Sequence, residues 1–383
     1  MTDREDDMAH IKDLRERPNG YSGTKPYWAR YRDPLGAEHG KTFRTLREAR
    51  NWLAENEVAK GRGDWVDPLA GKVTFETFAE QWRAVQVHRP STASQVESHF
   101  RTKVYPAIGA RPLASIRPSH VQALVKALSI TLAPSTVETI YRHVSAVFKA
   151  AARDRLITRT PCDGIKLPTA DRDHKVVPLE LEQVVAVAEL VPDRYRAAVW
   201  VGAGTGLRQG EVLGLTVDRV DFLRRQVKVD RQMLTPPSKG EPAFGPPKTK
   251  ASYRKVPLPD TVAVELAEHL RRYPPGEDGL IFTAPDGRPV RRQRMADAWR
   301  TAAEAVGLPP RTGFHATRHF YASALIQFGE SVKVVQNRLG HASAIETLDT
   351  YGHLWPDSED RTRQAIDTLL GNSAGQARDA VGE

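Results

Sequence analysis

Apolar residues recur at two different spacings in the first sixty residues, and each spacing predicts a different element. Between positions 11 and 45 the apolar runs are short, and the breaks PNGYSG and DPLGAEHG separate them, which predicts three β-strands. The stretch LREARNWLAENEVAKGRG then places Leu46, Ala49, Trp52 and Leu53 at helical spacing. Three short strands and a helix therefore form a small N-terminal module. The acidic start, residues 1–10, is expected to be disordered.

Apolar residues recur at helical spacing throughout residues 73–160. TFETFAEQWRAVQ predicts a first helix, and three further helix starts are indicated by a proline followed by a pair with capping-box spacing. The prolines are Pro90, Pro118 and Pro134, and the pairs are Thr92–Gln95, Ser119–Gln122 and Ser135–Glu138. The last helix has a single apolar stripe, made of Val137, Ile140, Tyr141, Val144, Val147, Phe148 and Ala151. The segment is predicted to be a four-helix unit.

Helices and strands mix after Val177. RYRAAVWVGAGTGLRQGEVLGL predicts a buried helix, a glycine-rich break and a second helix that opens near Arg208. RVDFLRRQVKVDRQM and ASYRKVPLP predict strands on either side of a long loop rich in Pro, Gly and Lys. HATRHFYASALIQFG and SVKVVQNRLG predict helices, and a short helix is expected around SAIETLDTYGHL. The predicted fold class is a multidomain chain, mainly α-helical, with small β-sheets.

Charge is concentrated in one part of the chain. The net charge is +9 over 383 residues, and residues 71–170 carry 14 Lys and Arg against 6 Asp and Glu. Within this segment, Arg142, Lys149 and Arg153 form a basic stripe on the last helix. Such a stripe is often only a solvated face, but an excess confined to one helical unit favours contact with a nucleic-acid backbone. Arg30 and Arg32 of the N-terminal strands are further candidates for backbone contact.

Several classes of protein are disfavoured by the composition. The single cysteine, Cys162, excludes internal disulfides and a zinc site with several cysteines. No apolar run reaches the length of a membrane span, and the acidic N-terminus does not have the pattern of a secretory signal. These features fit a protein of a reducing cytoplasm.

The chemistry-bearing residues lie in order near the C-terminus. His315 and Arg318 are three residues apart in HATRH, His341 follows in LGHAS, and Tyr351 in TLDTYGHL. An arginine fork can clamp non-bridging phosphate oxygens, a histidine can donate or shuttle protons, and a tyrosyl oxygen can attack phosphorus and leave again. Tyr321 is the nearby rival for the nucleophile, and its spacing suits packing better. His315 and His319 also have the spacing of a metal pair, but no third ligand motif accompanies them.

Two upstream residues complete a pattern of Arg, Lys, His-x-x-Arg, His and Tyr. They are Arg208 in TGLRQGEVLGL and Lys248 in GPPKTKASYRKVPL. This order resembles the tyrosine recombinase family, the phage-type integrases, over roughly residues 170–360. The resemblance implies a clamp by Arg208 and Arg318, with Glu211 as support, and Lys248 as the general acid, with Lys250 and Lys239 as rivals. His315 is expected to accept or relay the tyrosyl proton, and His341 to donate a hydrogen bond to a non-bridging oxygen. His319 and His353 are expected to be structural.

The resemblance also implies an organisation and partners. It predicts an arm-type DNA-binding-like domain over residues 1–65, a core-binding, SAM-like domain over 71–165, an α+β catalytic domain over 172–370 and a disordered tail over 371–383. The implied partners are double-stranded DNA attachment sites and three further copies of the chain. A host DNA-bending protein and a directionality factor are further candidates, and no metal or other cofactor is expected. A type IB topoisomerase and a catalytically silent DNA-binding regulator remain alternatives.

Overall fold

The structure is a computed structural model, and it forms two compact units, Met1–Ala170 and Asp171–Glu383. It describes residues 9–17, 21–33, 36–62, 70–169, 176–234 and 240–355, and parts of a helix between 362 and 370. The predicted disordered tail, residues 371–383, lies outside the described residues, as do residues 1–8 of the acidic start.

The first unit begins with a three-stranded antiparallel sheet, as the sequence predicts. Its strands, with β2 in the centre, are β1 (His10–Asp13), β2 (Tyr27–Arg32) and β3 (Glu38–Phe43), and helix α1 (Leu46–Arg62) covers one face. Ala29 and Tyr31 are buried against this helix. Arg30 and Arg32 alternate with them along the strand and point to the open face. The predicted disorder does not extend to His10, because this residue pairs with Arg30.

The rest of the first unit is the predicted four-helix unit. Its helices are α2 (Phe75–Ala84), α3 (Pro90–His99), α4 (Pro118–Thr131) and α5 (Pro134–Arg153), and a π-helical run, Phe100–Gly109, continues α3. The apolar stripe on α5 faces the core, and all its members are buried except the partly buried Tyr141. The 3.6-residue period was therefore sufficient to assign the inner face of this helix.

Three of these helices start earlier than the predicted capping boxes. Pro90, Pro118 and Pro134 are themselves the first helical residues, so Thr92, Ser119 and Ser135 lie inside the helices rather than at their N-caps. Proline suits the first helical position because its fixed φ is helical and its missing N–H has no partner to lose there. The capping-box assignments are therefore wrong, although the helices themselves are where the sequence places them.

The second unit packs helices around the buried helix α7 and carries two small sheets. The helices are α6 (Leu181–Leu190), α7 (Asp193–Thr205), α8 (Gln209–Leu213), α9 (Asp260–Arg272), α10 (Arg292–Ala305), α11 (Ala316–Gln327), α12 (Val332–Leu339) and α13 (Ala344–Tyr351). Along α7, Ala198, Val199 and Val201 are fully buried, and the helix contacts α6, α9 and α11. This arrangement fits the predicted buried helix in RYRAAVWVGAGTG.

Strands of the second unit form one three-stranded sheet and one hairpin. The sheet has the order β4 (Val220–Asp221), β5 (Gln226–Val229) and β8 (Arg254–Pro257), and the hairpin pairs β6 (Gln232–Leu234) with β7 (Ala243–Gly245). The segments predicted as strands, RVDFLRRQVKVDRQM and ASYRKVPLP, contain β4, β5, β8 and the first two residues of β6, whereas β7 lies in the stretch assigned to a loop. The strand β7 was missed because it is only three residues long, too short to show an alternating pattern.

Candidate active site

Arg208 is placed by a tight turn between two helices. Gly206 ends α7 in the left-handed conformation, at φ 64°, and Arg208 then serves as the N-cap of α8. A side chain at Gly206 would collide with the ring of Tyr321, so this turn requires glycine. The guanidinium of Arg208 donates to Glu211 Oε1 at 3.1 Å and to the Gly340 carbonyl at 3.4 Å. The predicted opening of a helix near Arg208 is confirmed.

Glu211 joins Arg208 to a second arginine that the sequence analysis missed. Arg254, the first residue of β8, donates to Glu211 Oε2 at 2.8 Å and to the carbonyl of Arg338 at 2.7 Å. The side chains of Arg254 and Glu211 are only 6% and 2% exposed. Burial alone would raise the pKa of Glu211, but Arg254 and then Arg208 outweigh it and hold this pKa below its usual value. The carboxylate therefore supports two guanidinium groups rather than one.

Arg318 is held by a carbonyl group rather than by a carboxylate. It lies on α11, is 1% exposed, and its Nη1 donates to the Gly206 carbonyl at 2.7 Å. Its Nη2 is buried and has no hydrogen-bond partner among the described residues. Burial, and then the charges of Arg208 and Arg254, lower the pKa of Arg318 to about 9. A buried guanidinium with an unpaired N–H group is stabilised by an anion, so the site favours a negatively charged ligand.

Lys248 lies in an exposed stretch between β7 and a short 3₁₀ turn, Lys250–Ser252. The stretch reaches the arginines through Ser252, whose Oγ accepts from Arg208 at 3.3 Å and lies 3.0 Å from Thr249 Oγ1. The rival Lys250 is also exposed, and the rival Lys239 lies outside the described residues. The geometry thus ties the lysine-bearing segment to Arg208 without choosing between Lys248 and Lys250.

The two proposed histidines differ in their surroundings. His315 is the N-cap of α11, and part of its surface is exposed. Loss of hydration around its ring, and then the charges of His319 and Arg318, lower its pKa. His341 is buried just after α12, and its Nδ1 lies 2.8 Å from Thr347 Oγ1. Burial, and then Arg318 and Arg208, lower the pKa of His341 to about 3, so this ring is neutral near pH 7. Thr347, which fixes the His341 ring, was not anticipated from the sequence.

Tyr351 closes the site from the end of α13. Its side chain is 1% exposed, and its ring stacks on that of His341 at a centroid distance of 6.4 Å. Its hydroxyl lies 2.8 Å from Nδ1 of His319. Burial raises the pKa of Tyr351 to about 12, against the lowering effect of Arg318 and Arg208. His319, which the sequence analysis expected to be structural, therefore contacts the hydroxyl of the proposed nucleophile.

The remaining candidates occupy simpler positions. Tyr321, the rival nucleophile, is buried against Gly206, which fits the expected packing role. His353 is bonded through Nε2 to the carbonyl of Val176 at 2.9 Å. No group of three or more His, Cys, Asp or Glu side chains suited to a metal ion occurs within the described ranges. No helix in that part of the chain is both long and apolar enough to cross a membrane.

The candidates for DNA-backbone contact lie on open faces of the first unit. Arg142, Lys149 and Arg153 are all exposed along α5, and Arg142 lies 3.6 Å from Glu138. On β2, Arg30 pairs with Glu38 at 3.1 Å and stacks over Trp28, whereas Arg32 is exposed at the end of the strand. The basic stripe is thus directed away from the apolar core, as an interface with a polyanion would require.

Comparisons with known proteins point to one family. A model of the phage integrase family matches residues 177–357, and a model of the phage integrase central domain matches residues 75–167. A tyrosine recombinase XerC-like protein of Caldanaerobacter subterraneus subsp. tengcongensis is 26% identical over 360 residues, covering 87% of this chain and 91% of the relative. The integrase of Mycobacterium phage D29 is 26% identical over 311 residues, covering 77% and 81%.

Solved structures of similar fold include integrases bound to DNA. The Tn1549 transposon integrase in complex with a circular intermediate DNA has a TM-score of 0.65 at 22% identity, covering 77% of this chain and 99% of that one. A lambda integrase dimer bound to a COC′ core site has a TM-score of 0.58 at 17% identity, covering 93% and 99%. A lambda integrase tetramer bound to a Holliday junction gives 0.56 at 18% identity, covering 86% and 95%. The likenesses agree in fold, and the two family matches, over residues 75–167 and 177–357, show that the chain belongs to the phage integrase family of tyrosine recombinases, enzymes that cleave and rejoin DNA.

Proposed function

We propose that this chain is a site-specific DNA recombinase that integrates and excises a phage or another mobile element, with Tyr351 as its nucleophile. The observation that carries the proposal is the unpaired, buried Nη2 of Arg318 in a site where the charges of Arg318 and Arg208 act on the Tyr351 phenol. A cation without an anion and a buried tyrosyl oxygen are the two requirements of metal-independent attack on a phosphodiester.

The reaction follows from these groups. The Tyr351 oxygen attacks the phosphorus and forms a 3′-phosphotyrosyl bond, while the bond from phosphorus to the 5′ oxygen breaks. Arg208 and Arg318 neutralise the charge that grows on the non-bridging oxygens, and His341 donates a hydrogen bond from Nε2 while Thr347 engages its Nδ1. The energy of the broken bond is kept in the phosphotyrosine, so a second 5′ hydroxyl can reverse the step without a nucleotide.

Lys248 is proposed as the general acid that protonates the leaving 5′ oxygen. An alkoxide is a poor leaving group and needs a proton in the transition state, which typically contributes about 10²–10⁴-fold to the rate. A substrate with sulfur in place of the bridging 5′ oxygen separates Lys248 from its rival Lys250, because a thiolate leaves without a proton. We expect this substrate to restore cleavage to Lys248→Ala, whereas Lys250→Ala should cleave the ordinary substrate normally. If sulfur instead restored cleavage to Lys250→Ala, and Lys248→Ala cleaved the ordinary substrate normally, Lys250 would be the acid.

The proposal extends to the domains and their partners. Residues 1–65 would bind DNA through the open face of the sheet with Arg30 and Arg32, and residues 71–165 through the basic stripe of α5. Residues 172–370 would carry out the cleavage. Lambda integrase is a tetramer on a Holliday junction, and we propose that four copies of this chain likewise act on two attachment sites. The reaction would take place at the nucleoid in the bacterial cytoplasm, with a DNA-bending protein and a directionality factor as candidate accessory partners.

The test uses a DNA duplex that contains the attachment site and has a nick near the crossover point. The sequence of this site is taken from the ends of the mobile element in which the gene lies. Cleavage of this substrate releases a short fragment and traps the covalent adduct. We expect an adduct with the wild type in the presence of EDTA, none with Tyr351→Phe, and a normal amount with the control Tyr321→Phe. An adduct that persists in Tyr351→Phe would assign the nucleophile elsewhere.

Two other outcomes would favour the alternatives. Tight binding to the cognate site without any adduct would indicate a silent DNA-binding regulator. Relaxation of a supercoiled plasmid that lacks the attachment site would indicate a type IB topoisomerase. The complete set of Arg208, Lys248, His315, Arg318, His341 and Tyr351 disfavours the first, and the separate N-terminal module and single basic domain disfavour the second.

A further inference from the structure

The hydroxyl of Tyr351 has one hydrogen-bond partner among the described residues, and that partner is His319. Nδ1 of His319 lies 2.8 Å from the tyrosyl oxygen, and the two rings meet at a centroid distance of 5.6 Å and an angle of 63°. His315, which the sequence offered for the tyrosyl proton, makes no such bond. The ring of His315 instead lies against His319, edge to face, at 4.9 Å.

The positions of the two histidines on α11 explain this division. His315 is the N-cap and is exposed, whereas His319 begins the second turn of the helix and is half-buried. Residues four apart lie on the same face of a helix, with one stacked above the other. His315 therefore stands at the rim, where incoming DNA can reach it, and His319 stands between His315 and the buried hydroxyl of Tyr351.

Both partners of this hydrogen bond are neutral near pH 7. Burial, and then the charge of Arg318, lower the pKa of His319, which leaves its ring neutral near pH 7. Burial raises the pKa of Tyr351 to about 12, which leaves the phenol protonated. When the hydrogen of the neutral imidazole is on Nε2, Nδ1 can only accept, and the phenol is then the donor. Transfer of the Tyr351 proton to His319 requires this tautomer.

We propose that His319 is a catalytic residue that accepts the proton of Tyr351 when the tyrosyl oxygen attacks the DNA phosphate. The inference rests on the proposed function. In the cleavage step the Oη–H proton passes to Nδ1 of His319, the bond from Oη to phosphorus forms, and the bond from phosphorus to the 5′ oxygen breaks and takes its proton from Lys248. In the rejoining step the imidazolium returns its proton to the departing phenolate.

The role of His319 differs from simple support of the site. An amide can also accept a hydrogen bond from the phenol, but it cannot take the proton at neutral pH. His319→Asn therefore keeps a partner for the hydroxyl and removes the base, whereas His319→Ala removes both. His353→Gln is the matched control, because His353 lies two residues after Tyr351 but its ring bonds to the Val176 carbonyl and not to a reacting atom.

The experiment measures the rate constant of adduct formation on the nicked substrate, with full-length protein in excess over DNA. We expect His319→Ala and His319→Asn to lose about 10²–10⁴-fold, the usual contribution of a positioned base, with unchanged DNA affinity. The control should cleave like the wild type. Sulfur in place of the bridging 5′ oxygen should not restore the cleavage rate of the His319 variants, because these variants fail to remove the proton of the nucleophile, not to protonate the leaving group.

A fluorinated tyrosine at position 351 supplies the decisive comparison. Its phenol is more acidic and needs less help from a base, so it should restore part of the rate to His319→Ala and His319→Asn while changing the rate in otherwise wild-type protein much less. A wild-type rate in His319→Asn would overturn the proposal and leave His319 a positioning residue, as would a fluorinated tyrosine that restores nothing. Absence of any adduct with the wild type would instead refute the proposed function, which is a separate result.

Discussion

Replacement of Arg254 by methionine is the most informative single change for the architecture of the site. Arg254 is 6% exposed and makes four hydrogen bonds, two to Glu211 and one each to the carbonyls of Arg338 and Ser252. Methionine keeps most of the length of the side chain and removes the charge. The variant leaves the buried carboxylate of Glu211 with Arg208 as its remaining guanidinium partner.

The size of the effect follows from the burial of the pair. Removal of one partner from a buried ion pair costs about 3–5 kcal/mol, because the other charge remains in a medium of low polarity. For a unit of this size each 1 kcal/mol lowers the melting temperature by roughly 2–4 °C. Taking both ranges together, we expect the melting temperature of the second unit to fall by roughly 6–20 °C.

The assay is scanning calorimetry of the full-length chain, which separates transitions that belong to different units. The control is Arg271→Met, because the pair of Arg271 with Glu268 lies on the surface, with exposed fractions of 71% and 39%. A surface pair of this kind contributes little, so the control should melt like the wild type. Glu211→Gln in the Arg254→Met background should recover part of the loss, since the buried negative charge that lost Arg254 is then gone.

Two results would refute this reasoning. If Arg254→Met has the same melting temperature as the Arg271→Met control, the buried pair contributes no more to stability than a surface pair. If Glu211→Gln adds its full separate cost to that of Arg254→Met, the two residues do not interact energetically, and the hydrogen bonds at 2.8 and 3.2 Å have no thermodynamic counterpart.

Three further predictions concern other parts of the chain. Gly206→Ala should lower the free energy of unfolding by at least about 1–3 kcal/mol, since alanine at φ 64° is strained and its methyl group meets Tyr321; unchanged urea unfolding would contradict this. Simultaneous replacement of Arg142, Lys149 and Arg153 by alanine should reduce the slope of log K against log salt by about 3 in a titration of DNA binding, and an unchanged slope would place the DNA elsewhere. The lowered pKa of Glu211 means that its contribution to stability is complete above its ordinary value of 4.5 and is lost as pH falls through the lower folded value. The unfolding free energies of wild type and Glu211→Gln should therefore converge only below pH 4.5, and convergence at neutral pH would argue against a charged, paired carboxylate.

The elements that the sequence predicted well are those with a long repeat of apolar positions. Helix α5 is an example, because seven apolar residues at helical spacing leave one face for the core and one for the basic residues. The start of the same helix was misplaced, since Ser135 offers a plausible cap and the choice between it and Pro134 depends on how the preceding chain enters the helix.

The residues that the sequence analysis missed act through contacts between distant segments. Arg254 meets Glu211 across 43 positions and the Arg338 carbonyl across 84, and no local pattern records these separations. A weak signal existed, because Arg254 lies two residues before the buried Val256 in a strand and so shares its inward face. His319 had a similar signal in its four-residue distance from His315, which indicated a shared helix face but not which ring faces Tyr351.

Each of the two arginines proposed to bind the phosphate contacts the C-terminal end of a helix. Arg318 donates to the carbonyl of Gly206 at the C-terminus of α7, and Arg208 donates to that of Gly340 at the C-terminus of α12. A helix C-terminus carries a partial negative charge from its aligned peptide dipoles, which attracts a cation without neutralising it as a carboxylate does. The guanidinium charge of Arg318, which forms no ion pair with a carboxylate among the described residues, thus stays available to a phosphate. An alanine scan would reveal Arg318 but not what orients it, because the orienting carbonyl belongs to the main chain.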